Sequence, residues 1–233
     1  MKLLALDTST EYLTLALLLD GEMRMRELHA GQTHSQRILP LLRELLDESA
    51  IELTQLDGIA FGAGPGSFTG LRIGCGVAQG LAFGADLPVV GISTLQALAE
   101  ASDSEKVIAC LDARMGEVYH AVYTRQEGVW QEVLPPGLYK PESVPAVEGE
   151  GWIGVGSGWK AYAELLGHAY AGQVERTSPD AFPHAAAIAR LALPMFAAGQ
   201  GKPAAEAAPI YVRNKVALKT SEREAGQKLG LPG

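Results

Sequence analysis

The 233-residue sequence contains only two cysteines and five histidines. Cys75 and Cys110 cannot build a disulfide framework, and both lie in apolar stretches where a free thiol behaves as a small hydrophobic side chain. No histidine falls in an HExxH or HxxxH pattern and no CxxC is present, so a metal site has no support in the sequence. These shortages predict a protein of a reducing compartment that binds no metal ion.

Long hydrophobic runs and an excess of basic residues are also missing. No stretch approaches the ~18 apolar residues of a membrane helix, and Asp7 interrupts the first apolar segment too early for a signal peptide. We therefore expect a cytoplasmic protein that does not associate with membranes. The 19 Lys and Arg against 27 Asp and Glu give a net charge of −8, so any work on RNA would need a basic partner.

Short apolar runs separated by polar turns predict an α/β chain. Residues 3–6, 13–19 and 22–28 predict three antiparallel strands, the last two joined by a tight turn at Asp20-Gly21. Helical spacing then follows Thr33 as far as Ser49, and Pro40 is expected to bend this helix or to mark its true start. Further strands are predicted at 56–61, 88–92, 107–111 and 152–155, and further helices at 69–84, 93–101, 158–166 and 182–198.

The two halves of the sequence repeat one pattern at an offset of 105 residues. Leu-Ala-Leu-Asp, ending at Asp7, falls on Ala-Cys-Leu-Asp, ending at Asp112, and Leu13 falls on Val118. Strand, acidic turn and strand thus recur in register, which favours a duplication. We predict two lobes, residues 1–104 and residues 105–233, with a polar C-terminal stretch that frays from about residue 220.

A glycine-rich loop at residues 62–70 connects a predicted strand to a predicted helix. Glycines at such a place let backbone amides approach a phosphate, and a helix N-terminus favours negative charge. The loop lacks the Gly-Lys-Ser/Thr of a P-loop, and Thr69 stands where a dinucleotide-binding fingerprint needs its third glycine. The interpretation we prefer is a capped turn, with Ser67 or Thr69 as the N-cap.

The helix after this loop contains several glycines in its interior. Each of Gly74, Gly76 and Gly80 costs about 1 kcal/mol relative to alanine, so some close contact should compensate. Gly76, Gly80 and Gly84 recur every four residues and form a smooth stripe for packing either on the chain's own sheet or on a helix of a second protein. Arg72, in the first turn, is unfavourable beside the helix dipole, and we expect a nearby carboxylate as its partner.

Asp7 and Asp112 end equivalent predicted strands. In duplicated actin-like folds, a carboxylate at this place and the hydroxyls and amides of the following hairpin hold nucleotide phosphate and its metal. Asp7-Thr8-Ser9 keeps small hydroxyl residues, whereas the long side chains after Asp112 should obstruct a phosphate loop. Asp7, Thr8, Ser9 and Asp112 are thus predicted to be a vestigial nucleotide-binding set. For either aspartate, a purely structural role in a turn is the alternative.

Six motifs spread over nearly the whole chain resemble one known family. They are LALDTST at 4–10, HSQRILP at 34–40, GAGPGSFTGLRIG at 62–74, QGLAFGADLPVVGISTL at 79–95, DARMGEVY at 112–119 and PIYVRNKVA at 209–217. These motifs resemble the bacterial tRNA threonylcarbamoyladenosine biosynthesis proteins of the TsaB (YeaZ) family. The third and fifth motifs together are specific to it.

The resemblance implies a duplicated actin-like fold of the ASKHA, ribonuclease H-like type, with two lobes that each open with an antiparallel hairpin. It also implies a non-catalytic accessory and dimerisation subunit for threonylcarbamoylation of adenosine 37, in tRNAs that read codons beginning with A. The catalytic paralogue TsaD would perform the transfer. Such paralogues carry a metal-binding His-x-x-x-His where Thr94 and Leu98 stand in this sequence, so no residue is assigned to catalysis.

In that family the partner surface lies on helices that correspond to residues 33–49 and 69–84 here. The candidate interface residues are accordingly Arg37, Leu41, Leu45, Arg72, Gly76, Gly80 and Gly84. The resemblance further implies the ATPase TsaE as a partner, tRNA indirectly through the complex, and a homodimer when TsaD is absent. The chain is expected to have no cofactor of its own, with ATP or ADP bound only in the multi-subunit assembly.

Two other functions are alternatives to this accessory role. A free-standing phosphotransferase or ATPase of the actin-like superfamily would use Asp7, Thr8 and Ser9 on phosphate and Asp112 on a metal ion. A peptidase would need an activated serine, but the sequence has no G-x-S-x-G motif and nothing identifies a base.

Overall fold

The computed structural model, which describes residues 1–212, contains two five-stranded sheets. The strands of the first sheet are β1 (Lys2–Asp7), β2 (Tyr12–Leu19), β3 (Glu22–His29), β4 (Gly58–Gly64) and β5 (Val89–Ser93). As predicted, β1 to β3 are antiparallel, and the spatial order of the mixed sheet is β3-β2-β1-β4-β5. β1 and β2 are buried at almost every position because helices cover both faces of the sheet.

The second sheet repeats this plan. Its strands are β6 (Lys106–Asp112), β7 (Val118–Gln126), β8 (Val129–Tyr139), β9 (Trp152–Val155) and β10 (Val174–Ser178). Their spatial order is β10-β9-β6-β7-β8, so β6 takes the place of β1 and the connectivity is the same. The predicted duplicated α/β fold is therefore confirmed, although β8 and β10 were not among the predicted strands.

Six α-helices within residues 1–212 separate and cover the two sheets. They are α1 (His34–Glu48), α2 (Phe68–Ala85), α3 (Thr94–Ala101), α4 (Gly158–Ala161), α5 (Ala163–Ala169) and α6 (Ala185–Ala197). α1 and α2 cover the outer face of the first sheet, and α4 and α5 cover that of the second. α3 and the alanine-rich α6 fill the space between the sheets, so the layers alternate helix, sheet, helix, sheet, helix.

The helix boundaries differ from the predicted ones where side-chain and backbone geometry intervenes. α1 continues through Pro40 from a start at His34, and Thr33 makes no side-chain capping bond. The predicted helix at 158–166 is divided because Tyr162 leaves the helical region, with φ −133° and ψ 40°. α6 begins at Ala185, later than predicted, because His184 is its N-cap and accepts the amide of Ala186.

Two further predictions concern the C-terminal stretch of the chain and its association with membranes. The fraying expected from about residue 220 lies outside the described residues. Within residues 1–212, no helix is both long enough and apolar enough to cross a membrane.

Candidate functional site

A cleft of about 1030 Å³ lies between the two lobes. Its walls come from the turn after β1, the start of α2, the turn after β6 and the C-terminal segment around Tyr211. Of the four predicted nucleotide-binding residues, Ser9 and Asp112 line the cleft, whereas Asp7 and Thr8 do not. The structure therefore brings only half of the predicted set to the cleft.

Asp7 is buried at the end of β1, with 1% of its surface exposed. Its Oδ1 accepts the backbone N–H of Ser9 at 3.0 Å and the Ser9 hydroxyl at 2.8 Å. Its Oδ2 has no hydrogen-bond partner among the described residues. Burial disfavours the charged carboxylate and raises the pKa of Asp7 from 3.8 to about 7, although the Ser9 hydrogen bonds lower it in part.

The rest of the first turn is in direct contact with the glycine-rich loop. The Thr8 hydroxyl donates to the Gly70 carbonyl at 2.7 Å, and the Ser9 carbonyl accepts the Ser67 amide at 2.7 Å. A side chain at Gly70 would overlap the Thr8 carbonyl oxygen, and a Cβ at Gly66 would lie 2.6 Å from the Ser9 carbonyl oxygen. The glycines thus allow close packing of one backbone on another.

The helix after the loop begins as a capped turn. The Ser67 hydroxyl accepts the amide of Gly70 at 3.3 Å, so Ser67 rather than Thr69 is the N-cap of α2. A side chain at Gly62 would overlap Oδ2 of Asp7, which explains a second glycine of the loop by the same kind of close packing.

The turn after β6 has a different construction around Asp112. Oδ1 of Asp112 accepts the Arg114 amide at 2.9 Å, while the Arg114 guanidinium lies 3.1 Å from Oδ2. The Tyr162 hydroxyl donates to Oδ1 at 3.4 Å, and the Asp112 amide donates to the Ser157 hydroxyl at 3.1 Å. The charge that a bound metal would neutralise is therefore already paired with a guanidinium.

These observations test whether a nucleotide with its metal fits the two turns. Asp7 and Thr8 are closed off from the cleft, and Arg114 pairs with Asp112. Across residues 1–212, no three or more His, Cys, Asp and Glu side chains are grouped so that they could hold a metal ion. The described residues do not fit the arrangement that an actin-like nucleotide site requires.

Thr94 and Leu98 occupy structural positions. The Thr94 side chain is fully buried and donates to the Pro65 carbonyl. Leu98, with 1% exposed, belongs to the hydrophobic cluster between α3 and the second sheet. Neither side chain reaches the cleft, so both contribute to packing at this point of the fold.

The glycines of α2 divide into two groups. A Cβ at Gly74 would lie 2.5 Å from the Thr8 hydroxyl oxygen, so this glycine permits packing on the chain's own turn. Gly76, Gly80 and Gly84 are exposed, and a Cβ on any of them would meet no atom of the described chain within 4 Å. This stripe of three glycines is not explained by packing on the chain's own sheet.

The other predicted interface residues have different surroundings. Arg37 is exposed and Leu41 is partly buried, so both can contact a partner. Leu45 is 1% exposed and packs in the core beneath α1, which corrects its assignment as a contact residue. The helical spacing that predicted it is that of the buried face.

Among residues 1–212, Arg72 has no carboxylate partner of the kind that its place in the helix led us to expect. Its guanidinium lies 3.9 Å from the centre of the Phe68 ring, and its Nε–H donates to the Tyr211 hydroxyl at 3.2 Å. Ring stacking and a neutral acceptor satisfy the cation here. Within the described residues, the predicted carboxylate is thus replaced by Phe68 and by Tyr211, which is distant in sequence.

The C-terminal segment that brings Tyr211 to this place was missed by sequence reasoning. The Ile210 amide donates to the Ala63 carbonyl at 2.7 Å, and the Gln79 side chain donates to the Ala204 carbonyl at 3.2 Å. Lys160 also lines the cleft and was not predicted. No local sequence signal marks contacts formed over such separations.

Comparisons with known proteins agree with this fold. Residues 28–192 match the family model described as "TsaD: tRNA N6-adenosine threonylcarbamoyltransferase". The chain is 42% identical to the Escherichia coli protein called "tRNA threonylcarbamoyladenosine biosynthesis protein TsaB", over 94% of this chain and 97% of that one. The Haemophilus influenzae protein of the same name is 41% identical, over 94% of this chain and 96% of its own. A solved structure titled "YeaZ from Pseudomonas aeruginosa" is 40% identical with a TM-score of 0.84, and the match covers 90% of this chain and 99% of that one.

Proposed function

Because this chain belongs to the TsaB (YeaZ) family, we propose that it acts in the threonylcarbamoylation of adenosine 37, in tRNAs that read codons beginning with A. In this reaction it is a non-catalytic subunit that binds and supports the catalytic paralogue TsaD. The observation that carries the proposal is how the aspartates in the turns after β1 and β6 are buried or paired. Asp7 is buried under the chain's own loop, and Asp112 is paired with Arg114, where an actin-like enzyme would bind nucleotide and metal.

The glycine stripe of α2 is the surface on which TsaD binds. Three exposed glycines in one helix cost about 3 kcal/mol relative to alanine, and no atom of the described chain uses the space that they leave. A helix from a partner can approach the backbone closely along Gly76, Gly80 and Gly84. The exposed ring of Phe83, with 80% of its surface accessible, lies beside the stripe and would be buried by such a partner.

The remaining members of the assembly follow from the same role. A second copy of the chain binds the same surface when TsaD is absent, because the two paralogues have similar folds. The ATPase TsaE joins the complex, and ATP or ADP is bound by the assembly rather than by this chain alone. The net charge of −8 supports tRNA binding that lies largely on the partners.

Reconstitution from purified components tests the proposed function. We expect tRNA modification with TsaD, TsaE and the enzyme that supplies the threonylcarbamoyl donor only when this chain is present. Equal modification without it would contradict the accessory role. Steady ATP hydrolysis by the isolated chain that is lost in Asp7→Asn would favour a free-standing ATPase instead.

The substitution Gly80→Leu tests the surface. A branched side chain at this open position should leave the fold intact but hold the partner helix away. Since overpacking costs roughly 1–3 kcal/mol, we expect affinity for TsaD to fall by about 5- to 150-fold in a titration.

A matched control is Gly167→Leu in α5. Gly167 is also an exposed helical glycine with no atom near its missing Cβ, but it lies on the outer face of the second lobe. This variant should bind TsaD normally. A folded Gly80→Leu protein that co-elutes with TsaD as the wild type does would disprove the proposed surface.

A further inference from the structure

A nearly buried carboxylate near the end of α3 connects side chains from three other elements. Only 8% of the Glu100 side chain is exposed. Its Oε1 accepts Nε–H of Arg190 at 2.8 Å, and its Oε2 accepts the indole N–H of Trp130 at 2.8 Å. Nη2 of Arg125 lies 3.6 Å from the same Oε2. We call these four residues the Glu100 junction.

The partners of Glu100 lie on elements that belong to, or pack on, different sheets. Arg190 is on α6, which packs on β1, β2 and β4 of the first sheet. Arg125 and Trp130 are on β7 and β8 of the second sheet, and the Arg125 guanidinium lies 5.4 Å from the centre of the Trp130 ring. One carboxylate therefore holds the first lobe to the second through directional hydrogen bonds.

The junction lies behind the cleft rather than beside it. The Arg125 amide donates to the carbonyl of Glu105, next to the first residue of β6. Asp112, which lines the cleft, is the last residue of β6, and a strand of this length spans about 20 Å. A link at the back of a two-lobed fold controls how far the lobes can rotate and hence how wide the cleft is.

We propose that the Glu100 junction is an interlobe lock that fixes the angle between the lobes and the width of the cleft. The Ala185 amide at the start of α6 donates to the Thr14 hydroxyl of β2 at 2.9 Å, and the alanine-rich contacts along the rest of α6 are apolar and non-directional, so those contacts alone allow small sliding motions. A rotation that withdrew Arg190 or Trp130 would leave the Glu100 carboxylate buried without its partners, which is strongly unfavourable. Such a lock suits a subunit that offers a fixed surface and has no closing cycle of its own.

Distance measurements between spin labels on the two lobes test the lock. Labels at Ser35→Cys on α1 and Glu164→Cys on α5 stand on exposed helical positions, and the natural Cys75 and Cys110 are buried and should not react. Labelled protein is diluted in excess unlabelled chain so that only distances within one molecule are measured. We expect one narrow distribution in the wild type and a roughly twofold broader one in Glu100→Ala.

Two further variants complete the design. Glu105→Ala removes a nearby exposed carboxylate outside the junction and should leave the distribution unchanged. Trp130→Phe removes one N–H donor while keeping a ring, and it should broaden the distribution less than Glu100→Ala. A folded Glu100→Ala protein with the wild-type distribution would overturn the proposal. If Glu100→Ala does not fold, the same criterion applied to Trp130→Phe decides it.

Discussion

In the first lobe, the turn after β1 is buried beneath the glycine-rich loop, and the Ser9 side chain donates to Asp7. In the second lobe, the turn after β6 carries Arg114, whose side chain is 84% exposed, against Asp112. Ser9 and Arg114 occupy equivalent positions of the repeat, and each donates its amide to Oδ1 of the aspartate two residues earlier, at 3.0 and 2.9 Å. The duplication has kept this hydrogen bond, but the turn after β6 is one residue shorter between paired positions and has a positive φ of 61° at Arg114.

The elements that follow the turns explain this difference. In the first lobe the loop leads into α2, with 18 residues, and packs directly on the turn. In the second lobe the corresponding loop leads into α4, with four residues, and Gly158 approaches Cys110, two residues before Asp112. A loop that does not cover the turn leaves room for a long side chain. Sheet register is thus more constrained than the loops that join the layers.

Asp7 in the first lobe and His120 in the second are both buried, and their pKa values shift in opposite directions. Burial raises the pKa of Asp7 from 3.8 to about 7, so its stabilising contribution is complete below pH 3.8 and is lost as pH rises through about 7. Burial lowers the pKa of His120 from 6.5 to about 4, so its contribution is present above pH 6.5 and is lost as pH falls through 4. Between pH 4 and 6.5 the two effects oppose each other.

Of the substitutions discussed, Asp7→Asn should have the largest effect on the free energy of unfolding, because it removes one of these two opposing contributions. Without the carboxyl, the free energy of unfolding should rise from pH 4 to pH 6.5 by about 3 kcal/mol more than in the wild type, at 1.36 kcal/mol per pKa unit. Urea unfolding at several pH values measures the difference. His120→Gln is the control, and its difference from the wild type should have the opposite sign. Parallel profiles for Asp7→Asn and the wild type would show that Asp7 is ionised in the folded protein.

Alanine substitutions at two glycines of α2 should change stability in opposite directions. One of these glycines lies at the buried start of the helix and the other on its exposed stripe. A Cβ at Gly70 would overlap the Thr8 carbonyl oxygen, so Gly70→Ala should destabilise the fold by about 2–3 kcal/mol. A Cβ at Gly80 meets nothing, and Gly80→Ala should stabilise the chain by about 1 kcal/mol through helix propensity. Denaturant unfolding of both variants measures the contrast. An equal gain in both would mean that the loop does not pack tightly on the first turn.

The local sequence pattern was sufficient to predict the strands in which a run of apolar side chains marks the buried positions. The apolar runs of β1 and β2 and the matching acidic turns at Asp7 and Asp112 predicted the hairpins and their duplication. β8 was missed because it is an edge strand with no buried position and a Pro135-Pro136 pair. Pairing with β7 supplies the backbone hydrogen bonds of β8, and no pattern in the sequence of β8 predicts this pairing.

The candidate site was predicted less completely because its contacts connect distant parts of the chain. Arg72 and Tyr211 are 139 residues apart, and no spacing rule links them. Helical periodicity identified Leu41 and Leu45 as apolar positions of α1 but could not show that only Leu45 lies in the core. The glycine stripe was left undecided between two kinds of packing until the surroundings of each missing Cβ were known.

The smallest expected effect comes from Arg114, whose contribution can be compared with that of its equivalent, Ser9. Ser9→Ala removes a hydroxyl donor from the buried Asp7 and should cost about 1–2 kcal/mol of unfolding free energy. Arg114→Ala removes a largely exposed ion pair and should change stability by about 0.5 kcal/mol or less. Arg114→Gly should be slightly more stable than Arg114→Ala, because position 114 has a φ of 61° that glycine adopts without strain. Denaturant unfolding of the three variants measures how much the side chains of each turn contribute to the free energy of unfolding. A larger loss for Arg114→Ala than for Ser9→Ala would contradict this expectation. It would mean that the exposed ion pair contributes more to the free energy of unfolding than the buried hydroxyl does.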